Sequence, residues 1–107
     1  MSDCIVISID EARELLATQA VTILDMRDYR SFRAGHIEGA RLLHDGLEQT
    51  LIDQNELDKP LLLYCFRGAK SKEKAEHFCR MGFRLVYSLE GGFTAWPRAE
   101  PSPFQTS

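Results

Sequence analysis

Four consecutive apolar residues, Leu61-Leu62-Leu63-Tyr64, followed at once by Cys65, set the tightest limit on how this chain can fold. A strand with one face in water alternates apolar and polar side chains, whereas a run with no polar position suits a strand covered on both faces. Such strands lie inside parallel sheets, and parallel neighbours are joined by crossovers, usually helices. The rest of the sequence supplies both kinds of element.

Residues 4–8 are rich in β-branched side chains and read as a strand. Ser8 and Glu11 form a capping-box pattern for a helix that places Ile9, Ala12, Leu15 and Leu16 on one face. Residues 21–24 read as a second buried strand, ending in the polar cluster Asp25-Met26-Arg27-Asp28. Tyr29–Ala34 form a helical turn broken by Gly35, and residues 41–44 an edge-like segment. Leu47, Leu51 and Ile52 recur at helical spacing before Pro60. After Cys65, Ser71 is expected to cap a helix with Ala75, Phe78 and Cys79 as its apolar stripe and Gly82 as its stop. Residues 84–87 make a last strand, followed by Glu90-Gly91-Gly92 and a helical turn carrying Phe93 and Trp96. Alternating strands and helices predict an α/β layer fold with a mainly parallel sheet and helices on both faces.

At 107 residues the chain suits one domain, 1–107, with a core from about residue 5 to 96 and a loose tail over 97–107 that carries Pro97, Pro101 and Pro103. Thirteen Lys and Arg against sixteen Asp and Glu leave a net charge of −3, which offers no general attraction to nucleic acid or anionic membrane. No run approaches the ~20 apolar residues of a membrane span, and residues 1–4 lack a signal-type pattern, so the cytoplasm is the expected compartment. Three cysteines, Cys4, Cys65 and Cys79, are an odd number with no zinc-like spacing, which predicts reduced thiols and no metal site.

Ligands of open α/β sheets gather outside the carboxyl ends of the strands, and that rule selects the turn after Tyr64. A glycine-containing loop leading into a helix can converge its backbone N–H groups on an anion, and the helix adds its positive end. Both favour the thiolate of Cys65, and Arg67 and Lys70 bring positive charge nearby. Many cysteines in such a place are only small buried hydrophobes, but a core cysteine has no need of two cations and a glycine in the next five residues. Cys4 and Cys79 read as packing residues. Asp25 with Arg27 reads as a pair that pins a loop, and His36 as a residue that orients its turn. His77 is expected to face solvent, and Phe93 and Trp96 to close the last turn.

Three separated stretches resemble the rhodanese domain: Asp25-Met26-Arg27 with Phe32 and Gly35-His36-Ile37-Glu38-Gly39-Ala40; the loop Cys65-Phe66-Arg67-Gly68-Ala69-Lys70-Ser71; and Gly91-Gly92-Phe93-Thr94-Ala95-Trp96. They stand in the family's order, the resemblance runs from about Ile5 to Trp96, and the length is similar to that of short, single-domain bacterial thiosulfate sulfurtransferases. The resemblance implies a three-layer α/β domain around a mainly parallel sheet of about five strands. It also implies that Cys65 takes sulfane sulfur from thiosulfate as a persulfide and passes it on by double displacement, with no cofactor. The acceptor would be cyanide or a thiol such as thioredoxin or dihydrolipoate, and Phe66, Arg67, Gly68, Ala69, Lys70 and Ser71 would line the substrate site.

Two features depart from nearby patterns. Related phosphatases use a longer Cys-x5-Arg loop, and here Ser71 stands where that Arg would be, so the bidentate clamp for a phosphoryl group is missing. Many rhodanese loops carry Arg directly after the cysteine; this one has Phe66, with the charge displaced to Arg67 and Lys70. Phe66 either presents a docking surface for a protein acceptor or shields the thiolate from water. A protein-to-protein persulfide relay with weak thiosulfate activity and a non-catalytic interaction domain are the competing classes, the latter disfavoured by the presence of Cys65.

Overall fold

The strand Leu61–Tyr64 is fully buried along its length and occupies the middle of the sheet, as its unbroken apolar character requires. The structure is a computed structural model that describes residues 3–54 and 56–96. The proposed tail, residues 97–107, lies outside the described residues.

The elements run β1 Asp3–Ile7, α1 Ile9–Thr18, β2 Thr22–Asp25, α2 Tyr29–Ala34, β3 Arg41–Leu42, α3 Asp45–Asp53, β4 Leu61–Tyr64, α4 Ala69–Arg80 and β5 Leu85–Leu89, with a 3-10 turn over Phe93–Ala95. The five strands form one sheet in the order β1-β5-β4-β2-β3, and every pairing is parallel. Along β4 the pleat divides the core. Leu62 and Tyr64 face a cluster with Ala12 and Leu15 of α1, and Phe32 of α2 packs against it. Leu61 and Leu63 face a second cluster with Leu47 and Leu51 of α3 and Ala75 and Phe78 of α4. Helices therefore cover both faces, giving the expected three layers.

Several local signals hold as read. Ser8 accepts from the Glu11 N–H at 3.1 Å while the Glu11 carboxylate accepts from the Ser8 N–H at 2.8 Å, a complete capping box. The same contact corrects one boundary: Ser8 is the cap of α1, and β1 ends at Ile7. The last strand is also displaced, to Leu85–Leu89, because it continues in register beside β1 as far as the pair Ile7 with Leu89. His77 does not face open solvent; it is half-buried, with Nε2 2.9 Å from Glu48 of α3, and Lys74 reaches the same carboxylate at 3.1 Å. Burial pushes the Glu48 carboxyl up, but these two partners outweigh it and hold the group below its usual range.

The register of β2 against β4 pairs Asp25 with Tyr64. Two carboxyl ends, and the turns that follow them, thus lie side by side. Substituting Leu63→Ala, in the centre of the buried strand, should lower the unfolding free energy by about 2–5 kcal/mol in urea titrations; a loss below about 1 kcal/mol would contradict the placement of β4 at the core.

Candidate active site

Cys65 is the first residue past β4, and its surroundings follow from how the next six residues turn. Gly68 has φ +105°, ψ −17°, a left-handed conformation that L side chains rarely adopt. That bend carries its N–H back to Cys65 Sγ at 3.1 Å and starts α4 at Ala69. Gly68, and not Ser71, is therefore the N-cap. The predicted cap is corrected because the left-handed turn brings the chain into helical conformation before Ser71 is reached. A Cβ on Gly68 would also stand 3.1 Å from the Gly91 nitrogen, so the position lacks both conformational and physical room for a side chain.

Ser71 is instead fully buried under the loop. Its hydroxyl donates to the Gly68 carbonyl at 3.2 Å and lies 3.1 Å from the Ser88 hydroxyl of β5 and 3.5 Å from Cys65 Sγ. A thiol at Cys65 donates its S–H to Ser71 Oγ; a thiolate accepts from Ser71 once that hydroxyl turns, and Ser88 can then donate to the Ser71 oxygen. Burial pushes the Cys65 thiol up, but the Ser71 hydroxyl and the backbone N–H groups of Ser71, Gly68 and Arg67 together outweigh it. The net direction is downward, toward the thiolate.

The backbone carbonyls point the other way. Cys65 O accepts from Phe93 N–H at 2.8 Å and Phe66 O from Thr94 N–H at 3.0 Å. These bonds require the turn at Gly91-Gly92 to lie against the loop, and a Cβ on Gly92 (φ +63°) would collide with the carbonyl oxygens of Cys65 and Phe66. With the carbonyls held by the last turn, the loop amides are free to face the sulfur.

Beneath the loop sits a buried ion pair. Asp25 is fully buried and Arg27 is 9% exposed. Arg27 donates to the Asp25 carboxylate through its backbone N–H at 2.8 Å, Nε at 3.0 Å and Nη2 at 2.7 Å, and Nη2 also binds the Gly35 carbonyl. Tyr64 donates to Asp25 at 2.6 Å and accepts from the Ile37 N–H at 3.1 Å. Burial and the neighbouring carboxylate keep the Tyr64 hydroxyl protonated well above its usual range. The Arg27 guanidinium lies 4.2 Å from the centre of the Phe93 ring and 5.6 Å from that of Phe66. Asp25 and Arg27 are thus a structural brace, as their spacing predicts. His36 is one as well, since its Nδ1 lies 2.7 Å from the Phe32 carbonyl oxygen and its ring stacks on Phe32.

Of the sequence-predicted loop residues, Gly68 and Ser71 meet the Cys65 sulfur. Cys65 is 6% exposed, while Phe66 is 47% exposed and Arg67, Ala69 and Lys70 are also at the surface. Arg67 reaches the thiol through its backbone N–H, and the strongest downward influences on Cys65 are hydrogen bonds rather than the two cations. An open groove of about 270 Å³ flanks Phe66, lined by Arg27, Ser31, Gly35, Phe93 and Thr94 among others; Cys65 does not line it. Ser88 and Tyr64 are the contributors that the sequence reading leaves out. The signal for Ser88 was a single hydroxyl in a buried strand, one residue beyond where that strand was expected to stop.

The profile of the family described as "Rhodanese-like domain" matches residues 8–99. "Thiosulfate sulfurtransferase GlpE" of Shewanella oneidensis is 39% identical over 93 residues, covering 87% of this chain and 92% of that protein. The protein of the same name in Pseudoalteromonas translucida is 40% identical over 93 residues, covering 87% and 89%. Among solved structures, a rhodanese-like domain protein from Staphylococcus aureus superposes with a TM-score of 0.70 at 25% identity, covering 94% of this chain and 95% of that one. A Rhodopseudomonas palustris protein of unknown function, described as a "possible tyrosine phosphatase", superposes at 0.71 with 30% identity, covering 85% and 77%.

Removing the hydroxyl that steadies the sulfur should raise the pH at which it ionises. In a protein carrying Cys4→Ser and Cys79→Ser, the pH profile of Cys65 alkylation by iodoacetamide should move to higher pH on Ser71→Ala, with a slower rate at pH 7. An unmoved profile would show that Ser71 does not stabilise the thiolate.

Proposed function

This chain belongs to the rhodanese-like domain family, and from that membership we propose that it moves sulfane sulfur from thiosulfate to a nucleophilic acceptor through a persulfide on Cys65. It is a sulfurtransferase by family and by its curated relatives. The observation that supports Cys65 as the carrier is the pair of groups on its sulfur, the Gly68 N–H at 3.1 Å and the buried Ser71 hydroxyl at 3.5 Å, with the Arg67 and Ser71 N–H groups also favouring the thiolate.

The chemistry follows from those donors. The Cys65 thiolate attacks the outer sulfur of thiosulfate, a new S–S bond forms, and the thiosulfate S–S bond breaks with its electron pair leaving on sulfite. The donors that held a thiolate then face the terminal sulfur of the persulfide, which carries the negative charge. An acceptor, either cyanide or a thiol of the thioredoxin or dihydrolipoate kind, attacks that terminal sulfur and returns Cys65 to thiolate. No general base is needed, because the nucleophile is ionised before it attacks and sulfite leaves as a stable anion.

Loop size bears on the competing phosphoryl chemistry. At Ser71, where a phosphatase loop places its Arg, a short hydroxyl points inward to the thiol and to Ser88. A loop closed on one sulfur by a buried serine has no bidentate partner for phosphoryl oxygens. Arg67 and Lys70 stand at the exposed rim, where they suit attraction of an anionic donor. A reducing compartment such as the cytoplasm suits a catalytic thiolate of this kind.

Incubation with thiosulfate should add about 32 Da, one sulfur atom held covalently on the nucleophile, and cyanide should remove it with release of thiocyanate. Cys65→Ser should show neither mass change nor turnover while keeping its circular dichroism spectrum. No added mass from thiosulfate, together with loading from a persulfidated protein donor, would replace this reading with the relay. Arg67→Ala and Lys70→Ala should each raise the KM for thiosulfate more than that for the acceptor, most at low ionic strength. Unchanged KM values in both variants would make the two charges bystanders.

A further inference from the structure

A pair of thiols, Cys4 and Cys79, lies at the opposite end of the sheet from Cys65. In a parallel sheet all strands begin on one side, and Cys4 is the second residue of β1, whereas Cys65 follows the carboxyl end of β4. The register pairs Cys4 with Val86, whose side chain belongs to the cluster beneath α4. Parallel partners project to the same face, so Cys4 points toward the last turn of that helix. Cys79 stands there, packed against the same cluster, with its Sγ 3.3 Å from the Asp3 carbonyl oxygen. Cys79 Sγ thus sits against the residue next to Cys4 in the chain, each thiol influences the ionisation of the other, and both are free thiols. Cys4 is exposed and Cys79 half-buried.

We propose that Cys4 and Cys79 form an oxidisable dithiol that closes to an intramolecular disulfide under hydroperoxide and fastens the edge strand β1 to α4. The exposed Cys4 reacts first. Its sulfur attacks one peroxide oxygen, the O–O bond breaks, and the leaving oxygen departs as water or an alcohol, leaving a sulfenic acid on Cys4. The Cys79 sulfur then displaces the hydroxyl from Cys4; the S–S bond forms and water leaves with the Cys79 proton. Two thiols lose two electrons in all, and the peroxide is reduced by the same two. Burial holds both thiols protonated at neutral pH, Cys79 up to about 11, so the pair stays reduced until an oxidant persists.

What the bond would secure is visible in the sheet. Among the described residues β5 is the sole strand neighbour of β1, which is an edge strand, and its Ile5 and Val6 are 40% and 45% exposed. Release of β1 would bare the β5 edge as well, the kind of unpaired edge that invites association. A crosslink between residues about 75 apart in the chain removes much of the freedom of the unfolded state.

The test uses the Cys65→Ser protein, so that the outcome is independent of sulfur transfer. After dilute treatment with hydrogen peroxide and capping of free thiols, tryptic digestion without reductant should yield peptide 1–13 joined to peptide 75–80. The linked species should vanish on adding dithiothreitol and be absent when Cys4→Ser is added. The oxidised protein should melt higher than the reduced one by roughly 5 °C or more. Over-oxidised Cys4 without the linked peptide, a disulfide between two chains in its place, or a linked form that melts no higher would each overturn the proposal.

Discussion

The direction of the peptide groups that follow Tyr64 is the constraint on which the site depends. Each peptide unit offers an N–H on one side and a carbonyl on the other, and a loop can ring an anion only if its carbonyls are occupied elsewhere. Here the carbonyls of Cys65 and Phe66 are taken by the amides of Phe93 and Thr94, and the amides of Arg67, Gly68 and Ser71 are left to the sulfur. Two left-handed glycines make this possible from opposite sides. Gly68 turns the loop into α4, and Gly92 lets the last turn approach until its amides reach the loop. The three motifs spread along the chain are thus parts of one hydrogen-bonded assembly.

A buried ion pair supports that assembly. Asp25 accepts from Arg27 and Tyr64, and Arg27 in turn lies against the rings of Phe93 and Phe66. Removing either partner would strand the other charge in the interior, a cost of about 3–5 kcal/mol for pairs of this type. The pair bridges the ends of β2 and β4 and rests under the turn that holds the loop carbonyls, so it sets the position of the loop from below.

What could be read in the sequence was what is decided locally. The strand Leu61–Tyr64, the Ser8–Glu11 capping box, the short α2 ending at Gly35 and the Cys65 loop all announce themselves by contiguous residues. The errors lie where a distant segment decides. Ser71 looked like a helix cap because serine suits that position, but the conformation of Gly68 starts the helix earlier and leaves Ser71 to face Cys65 and Ser88. β5 runs farther than its own pattern suggests because β1 pairs with it. His77 found a partner on α3, 29 positions away, which no local pattern shows. The loop N–H groups are expected from the glycine-bearing turn to favour the thiolate, and hydrogen bonds do set that direction, whereas Arg67 and Lys70 are not among its leading causes.

Main-chain and serine donors at the end of β4 favour an ionised sulfur at Cys65 despite its burial. That balance is tested most directly by following the ultraviolet absorbance of thiolate against pH in the native fold, with Cys65 as the sole cysteine. A midpoint below the value of about 8.5 for a free thiol is the predicted result. A midpoint at or above that value would mean that desolvation wins over the donors and that the loop does not hold Cys65 as a thiolate.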